Sequence, residues 1–268
     1  MKARWIALVM IFVLLVPACG PAKKYGGTAL QFERRTIESK YGNCDSASAG
    51  CVSILVEYPE IARAGSIAAR DSISAFVRGF VFATIERSNS VVSVDQLKEG
   101  LIAGYKKLQR EFKDFSQQWV LERRARVALD SAGIVTVWCK EYSYLGGAHP
   151  NQVVQLGSFD ASSGRKLEPG ELFTAGYEAK LTSLAEREFR KVRQLATDQN
   201  LTEAGFWFEN GEFALPKNVA VTAAGMTFYY NDYEVGPHVI GATEITLPFA
   251  DLKEIIRKDG PLAALAGE

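Results

Sequence analysis

The chain has 268 residues, with 31 basic and 31 acidic side chains, so its formal net charge is zero. That balance leaves no long-range field to gather nucleic acid or anionic lipid beyond local patches, and no nucleic-acid partner is expected. An apolar fraction of 47% is enough for one large core or two modest ones, which makes this a globular chain.

Lys2 and Arg4 precede an apolar run, Trp5 to Val16, that closes on Pro17-Ala18-Cys19-Gly20. A positive start, a short apolar stretch and a small residue before the cut form the three-part pattern of a secretory signal. A membrane-spanning helix needs about twenty apolar residues, and Pro17 ends this run sooner. The expectation is a lipoprotein signal peptide over residues 1–18, lipidation of Cys19, and anchoring at about 0.8 kcal/mol per buried methylene. Gly20 stands where an acidic residue would favour inner-membrane retention, so in a Gram-negative source the expected address is the outer membrane, facing the periplasm.

Residues 20–28 read as a tether with Gly26-Gly27 and two lysines. A short charged strand is expected from Leu30 to Ile37, and a second where Val52, Ile54, Val56 and Tyr58 alternate ahead of Pro59. Between them Cys44 and Cys51 bracket Asp45-Ser46-Ala47-Ser48-Ala49-Gly50, small turn-forming residues that let the chain double back. An exported chain meets an oxidising compartment, so a Cys44–Cys51 disulfide is expected. Cys139, within an apolar alternation, reads as a buried thiol, with pairing to Cys51 as the alternative.

Ile73, Phe76, Val77, Phe80 and Ile85 outline a first helix. A second opens at Ser93 with Gln96 three residues on, a capping-box pattern, and its apolar stripe is read as Leu97, Leu101, Tyr105, Leu108, Phe112, Phe115 and Trp119. The period then changes to two. Leu121, Arg123, Ala125, Val127 and Leu129 are read as one strand face, Asp130 to Gly133 as a turn, and Ile134 to Leu145 as the returning strand, with Val153 to Phe159 as a third. After the turn at Ser162 to Gly164, a helix is expected from about Gly176 through Leu195. Strand candidates follow at Phe206–Phe208, Glu212–Leu215, Val219–Thr222, Met226–Tyr230 and Ala242–Leu247, and a last short helix holds Leu252, Ile255 and Ile256. Strands and helices clustered in this way predict an α+β fold, mainly antiparallel sheets with helices packed on one face, in two similar-sized halves.

Chemistry-bearing patterns are sparse. His149 and His238 are the only histidines, and neither has a partner at metal-ligand spacing. No nucleophile elbow, phosphate-binding glycine loop or dinucleotide fingerprint is present, and no cofactor or metal is expected. His149 is a candidate general base, weighed against a turn residue with its ring on backbone. Glu141, Asp160, Asp232 and Glu234 are candidate members of a carboxylate pair, a role that requires a separation of about 5–9.5 Å. In Phe228-Tyr229-Tyr230, alternation puts Phe228 and Tyr230 on one face and Tyr229 on the other. Tyrosines there suit contact with a sugar or a protein as well as cross-strand packing.

Two stretches carry a resemblance: Tyr142 to Asn151 with Gly164 and Leu167 to Phe173, and Met226 to Pro248 with Tyr230, Tyr233 to Pro237, Gly241 and Pro248. They resemble the extracytoplasmic domain family that includes the ectodomain of the lysozyme-sensing anti-sigma factor RsiV. They also resemble the non-catalytic region preceding the catalytic domain of PdaC-type polysaccharide deacetylases. The resemblance implies an α+β envelope domain, in one branch one that binds lysozyme. It divides the chain into residues 19–40 (tether and start of the first strand), 41–150 (PdaC-like half), 151–258 (RsiV-like half) and 259–268 (tail). The chain departs from the relatives in placing a lipidation motif where RsiV has its spanning helix, in carrying no deacetylase domain, and in having His238 where an aromatic is usual.

The expected function is therefore a membrane-anchored recognition module for peptidoglycan-related glycan or a muramidase-like protein. Its candidate surface comprises Tyr144, Gly146, Gly147, His149 and Asn151 together with Tyr233, Pro237 and His238. An envelope hydrolase using His149 and a structural envelope-assembly lipoprotein are the alternatives.

Overall fold

The computed structural model describes residues 30–45, 50–85 and 90–267. The expected signal peptide and Cys19 lie outside the described residues. Among the described residues, eight strands form two sheets, one of five strands in the order β1-β2-β3-β4-β5 and one of three in the order β6-β7-β8, with helices interspersed along the chain. The fold is α+β, as the clustering of elements predicts.

β1 (Gln31–Gly42) and β2 (Cys51–Arg63) form a long antiparallel hairpin, closed at its turn by the Cys44–Cys51 disulfide. Cys139 is fully buried and takes no part in it, which removes the alternative pairing with Cys51. β2 runs through Pro59, further than its alternation suggests. The parallel ladder from β2 to β3 ends at Glu57, so the proline lies where that edge of the strand makes no ladder bond.

From β2 the chain crosses over through α1 (Ile67–Val81) and α2 (Val94–Glu111) before entering β3 (Trp119–Ser131), and this makes β2–β3 a parallel pair in an otherwise antiparallel sheet. Ser66 caps α1, and Ser93 with Gln96 forms the expected capping box on α2. The predicted stripe on α2 overruns the helix. Phe112 is 60% exposed at the helix end, Phe115 lies in the connection, and Trp119 is the first residue of β3. Phe115 and Trp119 fold back onto Tyr105, with ring centroids at 5.5 Å and 5.4 Å, so the stripe is continuous in space and not along the helix. Ile85 likewise lies beyond the end of α1, packed against the same core.

β3 returns as β4 (Ile134–Tyr144) through Ala132 and Gly133, both at positive φ as a two-residue hairpin turn requires. A register shift between Val127 and Leu129 flips the side-chain alternation. Leu121 and Ala125 therefore face the core under α1 and α2, while Leu129 faces the second core, not the shared face read from alternation. β5 (Asn151–Asp160) completes the sheet by pairing with β4, so the sheet runs across the 150/151 division.

The rest of the chain builds the second core. α3 (Pro169–Leu172) and α4 (Glu178–Val192) precede β6 (Val219–Thr222), β7 (Gly225–Tyr230) and β8 (Thr243–Leu247), followed by α5 (Phe249–Leu252) and α6 (Ala263–Ala266). Phe189 on α4 is its hub, with Phe206, Phe208, Phe213 and Tyr230 at centroid distances of 5.0–5.7 Å. Each such pair contributes about 0.5–1.5 kcal/mol beyond its buried area. This explains why Phe206–Phe208 and Glu212–Leu215 are not strands. Their aromatics plug the core around Phe189 from an irregular segment, with a 3-10 turn at Glu209–Gly211 and Asn210 at positive φ. The 259–268 stretch contributes the fully buried Leu262 to this core.

The two sheets are joined by side chains on the outer edge of β5. Val154 and Leu156 donate their N–H groups to Asn231 Oδ1 at 2.7 Å and Asn218 Oδ1 at 2.8 Å, and the Val154 carbonyl accepts from both amides, at 2.8 Å from Asn218 and 3.1 Å from Asn231. Two asparagines thus do the work of a sixth strand and satisfy an edge that would otherwise template aggregation. Next to them the buried Thr136 Oγ1 donates to the Val221 carbonyl at 2.6 Å, and the Val221 N–H donates to Ser158 Oγ at 2.8 Å.

Candidate functional site

The β4–β5 loop and the segment after β7 are far apart in sequence, and the fold brings them into contact. His149 and His238 stack with ring centroids 5.0 Å apart and planes 26° apart, and Tyr233 stacks on His238 at 5.4 Å and 21°. The cluster therefore joins one residue of the five-stranded half to two of the three-stranded half.

Each ring is placed by its own local device. The loop carrying His149 turns at Gly146, with φ +80°, where a Cβ would lie 2.9 Å from both Gln117 Oε1 and Trp119 Nε1. Only glycine fits that turn. Tyr233 sits at φ +64°, an uncommon conformation for an aromatic, and is 57% exposed. Asn231 opens this segment, its N–H donating to Glu234 Oε2 at 2.8 Å while its side chain holds β5.

His238 starts a 3-10 turn, His238–Ile240, with Pro237 before it and Gly241 at φ +68° after it. Arg193, just past the end of α4, reaches over this turn and donates to the carbonyls of Ile240 (2.9 Å), Gly241 (3.0 Å) and Ala242 (2.9 Å). Burial holds its pKa below the ordinary arginine value, yet several acceptors converge on the guanidinium. Sequence reading missed Arg193, whose only signal is a basic residue at a helix C-terminus, where it also complements the helix dipole. The Asp232 carboxylate lies 3.6 Å from His238 Nδ1, beyond hydrogen-bond length, and that nitrogen is buried with no hydrogen-bond partner among the described residues.

Beneath His149 is a pocket of about 310 Å³, lined by Ile85, Leu121, Glu141, Ser143, Gly147, His149 and Asn151 among others. Glu141 is 4% exposed and pairs with Arg123, which is fully buried, at 2.6 Å. The same guanidinium donates to the carbonyls of Val81 at 3.2 Å and Ala83 at 2.5 Å, so the pair ties the end of α1 to the sheet. Ser143 Oγ donates to Glu141 at 3.3 Å.

Of the predicted surface, His149, Tyr233 and His238 are brought together, and Gly147 and Asn151 line the pocket below. Pro237 caps the turn that presents His238. Gly146 faces a separate hollow beside Phe112 and Phe115, and Tyr144 ends β4 opposite Val120. The four candidate carboxylates have separate roles. Glu141 neutralises Arg123, Asp160 accepts from Ser162 and Ser163 in its own turn, Asp232 lies by His238, and Glu234 caps Asn231. Burial would raise the pKa of Asp160, but the hydrogen bonds from Ser162 and Ser163 outweigh it and hold the carboxyl below its ordinary value. Phe228 and Tyr230 point into the second core, and Tyr229 faces Trp138 at 6.0 Å, the alternation read from sequence. Burial raises the Tyr229 pKa, with Asp232 and Glu244 adding to it.

Among the described residues, no three or more His, Cys, Asp or Glu side chains are grouped to hold a metal ion, and no helix is long and apolar enough to cross a membrane.

The expected likeness to PdaC-type deacetylases is found. Over 160 residues the chain is 25% identical to the peptidoglycan-N-acetylmuramic acid deacetylase PdaC of Bacillus subtilis, covering 57% of this chain and 34% of that protein, so it spans about a third of the relative's length. Its fold is that of a solved DUF3298 family member from Bacteroides fragilis (TM-score 0.68, 18% identity, 91% of this chain and 99% of the other). A DUF3298 family protein from Pseudomonas aeruginosa is also similar (TM-score 0.57, 15% identity, 85% and 95%). Residues 170–250, which carry α4, the three-stranded sheet, Tyr233 and His238, match the family described as "Protein of unknown function (DUF3298)".

Proposed function

We propose that this chain is an envelope recognition module, anchored through a lipid on Cys19, whose ligand is a peptidoglycan-related glycan or a muramidase-like protein. The observation that carries the reading is the ring stack of His149, Tyr233 and His238, drawn from both halves of the fold and partly open to solvent. Stacked rings with polar edges offer a large, pre-ordered contact area at little entropic cost, which suits a sugar face or a protein surface. The similarity to a peptidoglycan deacetylase supports the envelope setting and the glycan class. In a Gram-negative source the module would face the periplasm from the outer membrane.

Two measurements test this. Palmitate labelling in cells should be lost in Cys19→Ser and kept in Cys139→Ser; labelling of both variants alike sinks the anchor. Purified residues 20–268 should bind either muropeptides or lysozyme by calorimetry, and binding of neither rejects the ligand class.

A second reading, an envelope hydrolase, is favoured by one observation: His149 and Glu141 line the same pocket. Glu141 already balances Arg123, which leaves it poorly suited to orient a general base. A His149→Ala variant that stays folded and loses turnover on a peptidoglycan digest would support the hydrolase instead.

A further inference from the structure

A larger concavity lies elsewhere on the five-stranded sheet, where β2 runs past the end of its ladder with β3. It holds about 720 Å³, within the range of small-ligand sites, and is lined by Tyr58, Pro59, Arg124, Arg126, Trp138 and Lys140 among others. Its charge arrangement works against folding stability. Arg124 on β3 stands directly opposite Lys140 on β4, and Arg126 lies two residues further along the same face. Like charges in direct cross-strand register destabilise a sheet.

Neutralisation within the protein is partial. Glu57 on β2 takes hydrogen bonds from Arg34 and from Arg124, the latter at 2.9 Å. The Arg34 hydrogen bond, opposed by burial and assisted by Arg124, keeps the Glu57 carboxyl below its ordinary pKa. Among the described residues no carboxylate lies within ion-pairing distance of Arg126 or Lys140. Arg126 is nonetheless held in place, its guanidinium centred 5.1 Å over the Trp138 ring. A guanidinium lying over an indole keeps its in-plane N–H groups available for a planar oxyanion. Trp138 is itself backed by Tyr229, so the platform is ordered from behind.

We propose that this groove is a binding site for an amphiphilic carboxylate, a small ligand distinct from whatever the histidine cluster recognises. Its carboxylate sits on Arg126 and Lys140, and its apolar body lies along the Tyr58 and Pro59 wall. Two exposed cations without carboxylate partners select the charge, and the apolar lining selects the body.

The test is calorimetric titration of purified residues 20–268 with decanoate below its micelle concentration, with decyltrimethylammonium as the control of equal chain length and opposite charge. The indole N–H signals are followed by NMR, that of Trp138 being assigned with Trp138→Phe. Decanoate should saturate and shift the Trp138 signal more than those of Trp119 and Trp207, the other two tryptophans of residues 20–268. Arg126→Gln with Lys140→Gln should weaken binding roughly tenfold or more, the loss expected for a charge-assisted contact, while His149→Ala leaves it unchanged. Both cations are exposed, so the double variant should fold, and relief of the like-charge pair should leave its Tm equal or higher. No saturable decanoate binding, equal binding of the cationic control, or undiminished binding by the double variant would overturn the proposal.

Discussion

The imidazole of His149 lies 5.0 Å from that of His238, one ring on the β4–β5 loop and the other on the turn before β8. Residues at the two ends of this contact belong to different sheets, so the geometry of the candidate surface depends on how the sheets are joined. Asn218 and Asn231 carry that dependence across the sheets, and Arg193 fixes the turn that presents His238.

Replacing Asn218 or Asn231 by alanine should cost about 1–3 kcal/mol each, because the first strips the Leu156 N–H and the second the Val154 N–H of its partner on the edge of β5. Urea unfolding followed by circular dichroism measures this. The exposed edge should also raise aggregation, detectable by light scattering. A cost below a few tenths of a kcal/mol for both would show that the sheets are held mainly by apolar contact.

Arg193→Ala should loosen the 238–243 turn with less effect on the rest of the second core. NMR should show the His238 ring signals moving and broadening while those of Phe189 stay sharp. If the His238 signals are unmoved, Pro237 and Gly241 alone set the turn.

Arg123→Met should destabilise the chain by about 3–5 kcal/mol, since it strands a buried glutamate. The Arg123→Met, Glu141→Leu double variant should be less destabilised than the sum of the single changes, because neither charge is then left alone. Additive losses would mean that the pair acts through packing and its carbonyl contacts, and not through charge.

The Asp160 carboxyl has its pKa held below the ordinary aspartate value, so its contribution to stability is present above about pH 5 and is lost as pH falls through the folded value. Asp160→Asn should lower stability at pH 7 and flatten the decline between about pH 5 and pH 2, read from urea midpoints across pH. An unchanged pH slope would assign the acid sensitivity to other carboxylates.

Local rules were legible in the sequence. The Ser93 and Gln96 capping box, the Cys44–Cys51 closure and the split of Phe228 and Tyr230 from Tyr229 each depend on residues within a few positions of one another. What failed needed the third dimension. Phe115 and Trp119 fit a helical period only because the chain folds back onto Tyr105, and Phe206, Phe208 and Phe213 look like strand residues because core plugs are as apolar as strands. The bulge after Val127 reversed the face of Leu129, and nothing in the alternation announces it. Arg123 did leave a signal, a charge on an otherwise apolar strand face, but its partner Glu141 and the carbonyls at the end of α1 lie across the fold. Both loops of the candidate surface were named from sequence, while their contact was not, since spacing along the chain carries no distance between them.

The most direct test of the recognition surface is to follow side-chain and amide NMR signals while titrating purified residues 20–268 with whichever of muropeptides or lysozyme binds by calorimetry. The predicted result is that shifts concentrate at His149, Tyr233 and His238, and that Tyr233→Ala with His238→Ala reduces affinity at least about tenfold without unfolding the chain. Binding that leaves those three signals unmoved, or that survives the double substitution at full strength, would contradict the account.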